Sequence, residues 1–263
     1  MASISIVLAT FNEEKNLSDC LESVKDLANE IIVIDGLSTD KTVEIAKKYK
    51  AVVKVTSNPP IFHINKQKAI DMATMDWILQ LDADERVTPE LKKEIFSILN
   101  SQLSHPEDDR PLAETYDGYW IPRKNYFLGR FLMKGGVYPD YTLRLYKRGK
   151  GRLPQKNVHE QAIIEGNVGY LKNPLLHFAD REFSRYLLRY GRYTDLIASE
   201  IGNKKAGYNP IVAFKYLFVL PAWWFLLTYG RHKGFMDSWQ GFVFSFFSAL
   251  RFPVSYIKYL AKS

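Results

Sequence analysis

The sequence has almost no cysteine: Cys20 is the single one in 263 residues. An intrachain disulfide is therefore excluded, and a reducing compartment fits. No G-x-G-x-x-G follows the first apolar run and no G-x-x-x-x-G-K-[ST] occurs anywhere. Neither a dinucleotide-binding turn nor a P-loop is supported. The opening "MASISIVLATFNEE" carries no basic n-region before its short apolar run, so it reads as a first strand with no secretion signal. Internal repeats and low-complexity tracts are missing too. Acidic residues run short in the tail. From Pro210 to Ser263, Asp237 stands alone against six Lys and Arg residues, which puts +5 of the net charge of +7 there.

What the chain does contain is an ordinary globular composition, 46% hydrophobic and 25% charged, enough to bury a core as one large domain or a domain plus an appendage. Up to about residue 100, strand and helix patterns alternate. Strands are expected at 4–9, 30–35, 51–55 and 77–81, with helices at 13–27, 38–49, 64–73 and 88–99. Ser or Thr caps the second helix and Pro89 opens the last. This alternation predicts an α/β fold with a mostly parallel sheet covered on both faces. The polar stretch 100–117 reads as a surface loop between two halves. Beyond it, aromatic strands are expected at 118–127, 141–149 and 175–179, then a helix at 182–201.

The tail holds 16 of the 37 Phe, Trp and Tyr residues. Nucleic-acid binders are also basic and aromatic, but they interleave those residues with polar ones. Here they sit inside apolar runs, which favours a membrane surface and no nucleic acid. Residues 211–229 form a 19-residue apolar run interrupted by Lys215 and Pro221, against about 20 needed for a span. Residues 242–260 are broken by Arg251 and Pro253. An interfacial or re-entrant pair of helices fits, with Trp223, Trp224 and Trp239 at headgroup depth; a hydrophobic dimer interface is the alternative.

Three polar clusters fall at the same ends of expected strands: "TFNEE" (10–14), "DGLSTD" (35–40) and "DADE" (82–85). In open α/β sheets, ligands bind outside the carboxyl ends of strands. Each cluster alone also suits a turn or a helix cap, but together they describe one acid-rich crevice. Carboxylates would repel a diphosphate unless a divalent cation sits between them. Asp82 and Asp84, at i and i+2 of an extended segment, would face the crevice together. Mg²⁺ or Mn²⁺ takes such oxygen ligands along with substrate phosphates. A solvated loop is the bland alternative.

The pieces "SIVLATFNEEKNLSDCLESV", "EIIVIDGLSTDKT" and "WILQLDADE", in this order, resemble family 2 glycosyltransferases of the GT-A (nucleotide-diphospho-sugar transferase) fold. "YTLRLYKRGKGR", "NVHEQ", "PLLHF" and the basic aromatic tail look most like the family's lipopolysaccharide core-region enzymes. The resemblance implies a GT-A catalytic domain at 1–180, with a nucleotide-sugar half at 1–100 and an acceptor half at 118–180. A helical membrane-associating region would follow at 181–263. It places Phe11 against the base, Thr10 and Glu13 near base or ribose, and Asp35 on the imide N–H of a uracil. Asp82 would touch ribose or metal, Asp84 would be the firm metal ligand, and His177 a further one unless it is a structural histidine. Lys68 stands where relatives carry a phosphate-binding arginine. Glu160 is the expected base, with Asp140 its rival, while Arg123 and Arg144 meet anions or are ordinary surface residues.

The Q-x-x-R-W motif of processive synthases is absent, which favours single-sugar transfer. The resulting expectation is an inverting, metal-dependent hexosyltransferase. It would use a nucleotide-sugar donor, UDP foremost, and a lipid-linked or lipopolysaccharide acceptor, as a peripheral or monotopic protein on the cytoplasmic face of the inner membrane. A nucleotidyltransferase would carry a Gly-rich basic loop where "ATFNEEKN" stands. A membrane-bound scaffold with a vestigial nucleotide site is the other alternative.

Overall fold

A computed structural model describes residues 2–101, 116–154, 161–203 and 209–262. Short runs rich in Ile and Val form its parallel strands because β-branched side chains pack well on a pleated, buried surface. β1 (Ile4–Thr10) is followed by α1 (Leu17–Val24), β2 (Glu30–Asp35), α2 (Thr42–Lys48), β3 (Val52–Val55), α3 (His63–Asp71) and β4 (Trp77–Gln80). β5 (Glu85–Val87) and α4 (Pro89–Ser101) come next. β1 pairs in parallel with β2 on one side and β4 on the other, and β3 extends β2.

Alternation along β1 sends its side chains into two cores. Ile4, Ile6 and Leu8 pack with Leu17, Cys20, Leu21 and Val24 of α1 and with Leu91, Ile95 and Leu99 of α4. Val7 points the other way, to Ile32 and Ile34 of β2 and to Ala69, Ile70 and Ala73 around α3. The strands are thus apolar on both faces, which is why the sequence shows runs there instead of alternation.

The second half adds β6 (Gly118–Phe127), β7 (Arg130–Phe131), β8 (Asp140–Lys147), β9 (Gly151–Arg152), β10 (Ile163–Ile164), β11 (Val168–Tyr170) and β12 (Leu175–Asp180). The large sheet runs β3-β2-β1-β4-β8-β6-β12-β5, with β7 and β11 also paired to β6. β8 lies antiparallel to β4, and β12 antiparallel to β5. The sheet is therefore parallel through its first four strands and mixed beyond them.

The chain divides into two compact units. The first comprises Met1–Arg123 and Tyr141–His177 and holds the parallel strands. The second comprises Lys124–Asp140 and Phe178–Ser263. Its core joins Phe127, Leu132 and Tyr186 to Phe183, Tyr190, Phe244 and Phe247. Asp237, buried, accepts from the backbone N–H groups of Met133 and Lys134 at 2.9 and 2.7 Å, which ties the tail to the 124–140 segment.

α5 (Phe183–Asn203) leads towards two tail helices. The first, Pro210–Arg231, has 22 residues and a mean hydropathy of 1.7. By length and composition it is apolar enough to cross a membrane, and 6% of its most apolar window is buried in the protein. Pro221 offers no N–H to the carbonyl one turn earlier. Just ahead of it, Lys215–Val219 widens to π geometry and the Leu220 N–H donates to the Lys215 carbonyl. The second tail helix, Ser238–Lys262, carries Pro253 inside it.

Candidate active site

β2, β1 and β4 lie side by side in parallel, so their carboxyl ends open on one edge. Asp35 ends β2 and is fully buried. Its carboxylate accepts from Thr10 Oγ1 at 3.0 Å, from Ser38 N–H at 2.8 Å and from Ser38 Oγ at 2.6 Å. Three donors on one carboxylate fix its orientation. Asn12 and Leu37, in left-handed conformations, turn the two loops towards each other. Asn12 N–H donates to Ser38 Oγ, and Thr39 N–H donates to Asn12 Oδ1. Phe11 is left 45% exposed, an aromatic face presented next to this braced pair.

The expected helix at 38–49 begins instead at Thr42. Ser38 is taken up by Asp35, Lys41 is the N-cap, and Asp40, one residue earlier, accepts from the Thr42 N–H. Glu13 is likewise held locally: its carboxylate accepts from Asn16 Nδ2 at 2.8 Å. Lys68 Nζ reaches Asn65 Oδ1 at 3.1 Å and Thr56 Oγ1 at 3.3 Å, at the end of β3.

The extended conformation expected for 82–84 is corrected by the structure. Glu85 N–H donates to the Asp82 carbonyl at 2.9 Å, closing a turn, and β5 begins at once. Arg86 locks this turn from below, donating to the Ala83 carbonyl at 2.7 Å and to the Glu85 carbonyl at 2.9 Å. The turn gives the two aspartates different partners. Asp82 forms ion pairs with Lys66 Nζ and, at 2.5 Å, with Arg144 Nη2. Asp84 Oδ2 lies 3.6 Å from His177 Nε2.

Glu85 completes the cluster. Fully buried, it takes Arg144 at 3.0 Å, Arg123 at 3.3 Å and the Asp82 N–H at 2.9 Å. Arg144 is 7% exposed, so it is no surface arginine, and its Nε is buried without a hydrogen-bond partner. Burial alone would raise the Asp82 pKa, but Arg144 and Lys66 outweigh it and hold the carboxyl well below its usual range. Burial lowers the Lys66 pKa, against the pull of Asp82.

Lys66 and Glu85 were not singled out by the sequence reading. The signal for Lys66 was present: with Ala69, Ile70 and Ala73 it shares the i, i+3, i+4, i+7 face of a helix, and a lysine on an apolar face needs a buried partner. Lys68, two residues on, points to a different side. Asp140, in the second unit, accepts from Asn125 Nδ2 at 2.9 Å. Glu160 lies outside the described residues.

The model for glycosyl transferase family 2 matches residues 5–161. The chain belongs to that family. Its sheet, with the parallel β3-β2-β1-β4 strands continued by mixed ones and flanked by helices, is the GT-A fold of the family. Among curated proteins it is 29% identical to the lipopolysaccharide core biosynthesis glycosyltransferase LpsC of Rhizobium meliloti, over 94% of this chain and 91% of that one. An uncharacterized glycosyltransferase of Rickettsia typhi is 27% identical over 92% of this chain and 82% of its own length. Among solved structures, S. aureus TarS 1-349 in complex with UDP-GlcNAc superposes with a TM-score of 0.48 at 17% identity. That superposition covers 90% of this chain and 76% of the other. Family membership makes the protein a glycosyltransferase and sets the nucleotidyltransferase reading aside.

Among the described residues, no three His, Cys, Asp or Glu side chains gather into a ready metal cluster. The donor pair Asp84 and His177 nevertheless fits a divalent ion. Ligand atoms each about 2.1 Å from one ion lie about 3–4 Å apart, and theirs are 3.6 Å apart. A carboxylate oxygen and an imidazole nitrogen suit Mn²⁺, and substrate phosphate oxygens would fill further positions.

Proposed function

We propose that this glycosyltransferase is an inverting, non-processive hexosyltransferase. It would take its sugar from a UDP donor and deliver it to a lipopolysaccharide core or other lipid-linked hydroxyl at the cytoplasmic membrane face. Residues 1–180 would carry the chemistry and 181–263 the attachment. The observation that carries the reading is the division of labour in the D-x-D turn. Asp82 is neutralised by Lys66 and Arg144, while Asp84 converges with His177.

On this reading Asp84 and His177 hold Mn²⁺ or Mg²⁺, with Asp82 close by, and the ion supplies charge neutralisation on the departing diphosphate. Asp35, oriented by Thr10 and Ser38, receives the imide N–H of the uracil while Phe11 covers the ring. Lys68 would stand by for phosphate contact, and Glu13 would act near the ribose by bracing its loop through Asn16. Inversion needs a base to take the proton of the attacking hydroxyl, the role proposed for Glu160. Full-length similarity to LpsC supports the acceptor class. The exposed apolar helix Pro210–Arg231 supports membrane attachment.

The test is incubation of purified protein with UDP-sugars, Mn²⁺ and membrane lipid extract. UDP release and a product lipid heavier by one hexose are expected. Turnover that persists unchanged without divalent metal, or in Asp84→Ala, overturns the assignment.

A further inference from the structure

The second unit contains a cavity of about 350 Å³ that the donor chemistry leaves unused. That volume falls within the range of small-molecule sites, about 300–1,000 Å³. Asn125, Asp140, Trp224, Phe244, Ser248 and Arg251 are among its lining. Arg251 decides its character. The guanidinium lies 4.3 Å from the Trp224 ring centroid and 4.9 Å from that of Phe252. Burial pulls its pKa down, opposed by the nearby Tyr186 and Tyr190 hydroxyls. Among the described residues no carboxylate pairs with it. The Tyr190 hydroxyl is itself buried without a hydrogen-bond partner.

A half-buried guanidinium over an aromatic ring has lost part of its hydration, and its fork of N–H donors suits phosphate or carboxylate. The remaining lining does not suit a bare anion. Asp140, held by Asn125, would repel a second negative charge but accepts hydrogen bonds from hydroxyls. Ser248 Oγ takes the Trp224 indole N–H at 2.8 Å and keeps its own O–H to donate. Phe244 adds an apolar wall. One cation, one carboxylate and aromatic faces together describe a polyol bearing a single anionic group.

We propose that this cavity binds the anionic sugar headgroup of a lipid, a phosphorylated saccharide whose phosphate meets Arg251 and whose hydroxyls meet Asp140 and Asn125. The proposal deepens the acceptor assignment made above and rests on it for the biological role. The binding itself needs neither donor nor metal. The cavity lies within the unit that carries the exposed apolar tail helix, so a headgroup fixed to a membrane is its natural source.

The test is flotation of the full-length protein with phosphatidylcholine vesicles. One set carries monophosphorylated lipid A disaccharide, the other phosphatidylglycerol at equal surface charge. The proposal expects preferential binding to the first set, and a loss of about tenfold in that preference for Arg251→Gln, the scale of one charge-assisted hydrogen bond. Equal binding of the wild type to both sets overturns it. Because Arg251→Gln could disturb packing on Trp224, phenylglyoxal labelling of the wild type gives a second reading. The lipid A vesicles should shield Arg251 and the phosphatidylglycerol vesicles should not; labelling that is unaffected by lipid A overturns the site. Shielding by free glucosamine 1-phosphate at matched concentration overturns the lipid source. All these readouts omit UDP-sugar and metal, so they stand or fall separately from the Asp84 test.

Discussion

Replacing Arg144 by methionine removes the group on which the buried charges of the candidate site converge. The guanidinium reaches Asp82 at 2.5 Å and Glu85 at 3.0 Å. Without it, wholly buried Glu85 keeps Arg123 at 3.3 Å and the Asp82 N–H at 2.9 Å. Removing one partner of a buried pair costs about 3–5 kcal/mol, because the other charge stays in a site of low polarity. The two remaining donors to Glu85, and Lys66 on Asp82, place this case at the lower end, about 3 kcal/mol. A chain of this size shifts its melting temperature by about 2–4 °C per kcal/mol, so a fall of roughly 10 °C is expected. Adding Glu85→Gln removes the stranded charge. The double variant should therefore recover about 2 kcal/mol relative to the sum of the single ones, as coupled neighbours do. Urea denaturation followed by circular dichroism measures all corners of the cycle. A cost below about 1 kcal/mol for Arg144→Met, or additivity within about 0.5 kcal/mol, would refute the coupling on which the site description rests.

The acid limb of stability should carry the signature of Asp82. Its folded pKa is depressed, so its contribution is fully present above the unfolded value of about 3.9 and is lost as pH falls through the folded value; Asp82→Asn should flatten that limb in melts below pH 4. Asp84→Ala and His177→Ala should each remove the thermal stabilisation by Mn²⁺ with UDP, about 2.7 kcal/mol at a hundredfold excess over Kd, and a wild-type-like shift in both would reject them as ligands. Asp35→Ala should raise the donor KM by about tenfold, the scale of a hydrogen bond to a charged group, with kcat little changed. On the first tail helix, Phe218 and Trp223 are about 60% exposed; Phe218→Glu with Trp223→Glu should move the protein from the membrane pellet to the supernatant, and continued sedimentation would contradict the attachment.

The parallel half of the sheet was legible because its strands are apolar on both faces and end in polar turns. Ile4–Thr10, Glu30–Asp35 and Trp77–Gln80 fall within a residue or so of the expected strands. The shared carboxyl edge of β2, β1 and β4 followed from that register. The three-residue strand Glu85–Val87 was hidden because "ERV" carries no run and no alternation long enough to register. Its pairing to Leu175–His177 is a contact between segments about 90 residues apart. Long-range placement likewise left Arg144 open between an anion contact and a surface residue: nothing local in "YTLRLYK" announces that Asp82 and Glu85 lie beside it.

The two lysines of α3 show how geometry sorts equivalent letters. At 100° per residue, Lys66 and Lys68 stand about 200° apart on the helix, so they cannot both meet the D-x-D turn. Lys66 takes the apolar face and enters the cluster, where Lys66, Arg123 and Arg144 balance Asp82, Asp84 and Glu85. These three cations and three carboxylates sum to zero. A divalent cation and a nucleoside-diphosphate sugar each add two charges of opposite sign, so bound together they keep the crevice neutral, whereas either alone would leave it charged in a region of low polarity. Metal and donor should therefore bind with positive cooperativity, each raising the affinity of the other by the same factor. Because Asp82 is already paired with Lys66 and Arg144, that cooperativity should fall with the proposed ligands, in Asp84→Ala and His177→Ala.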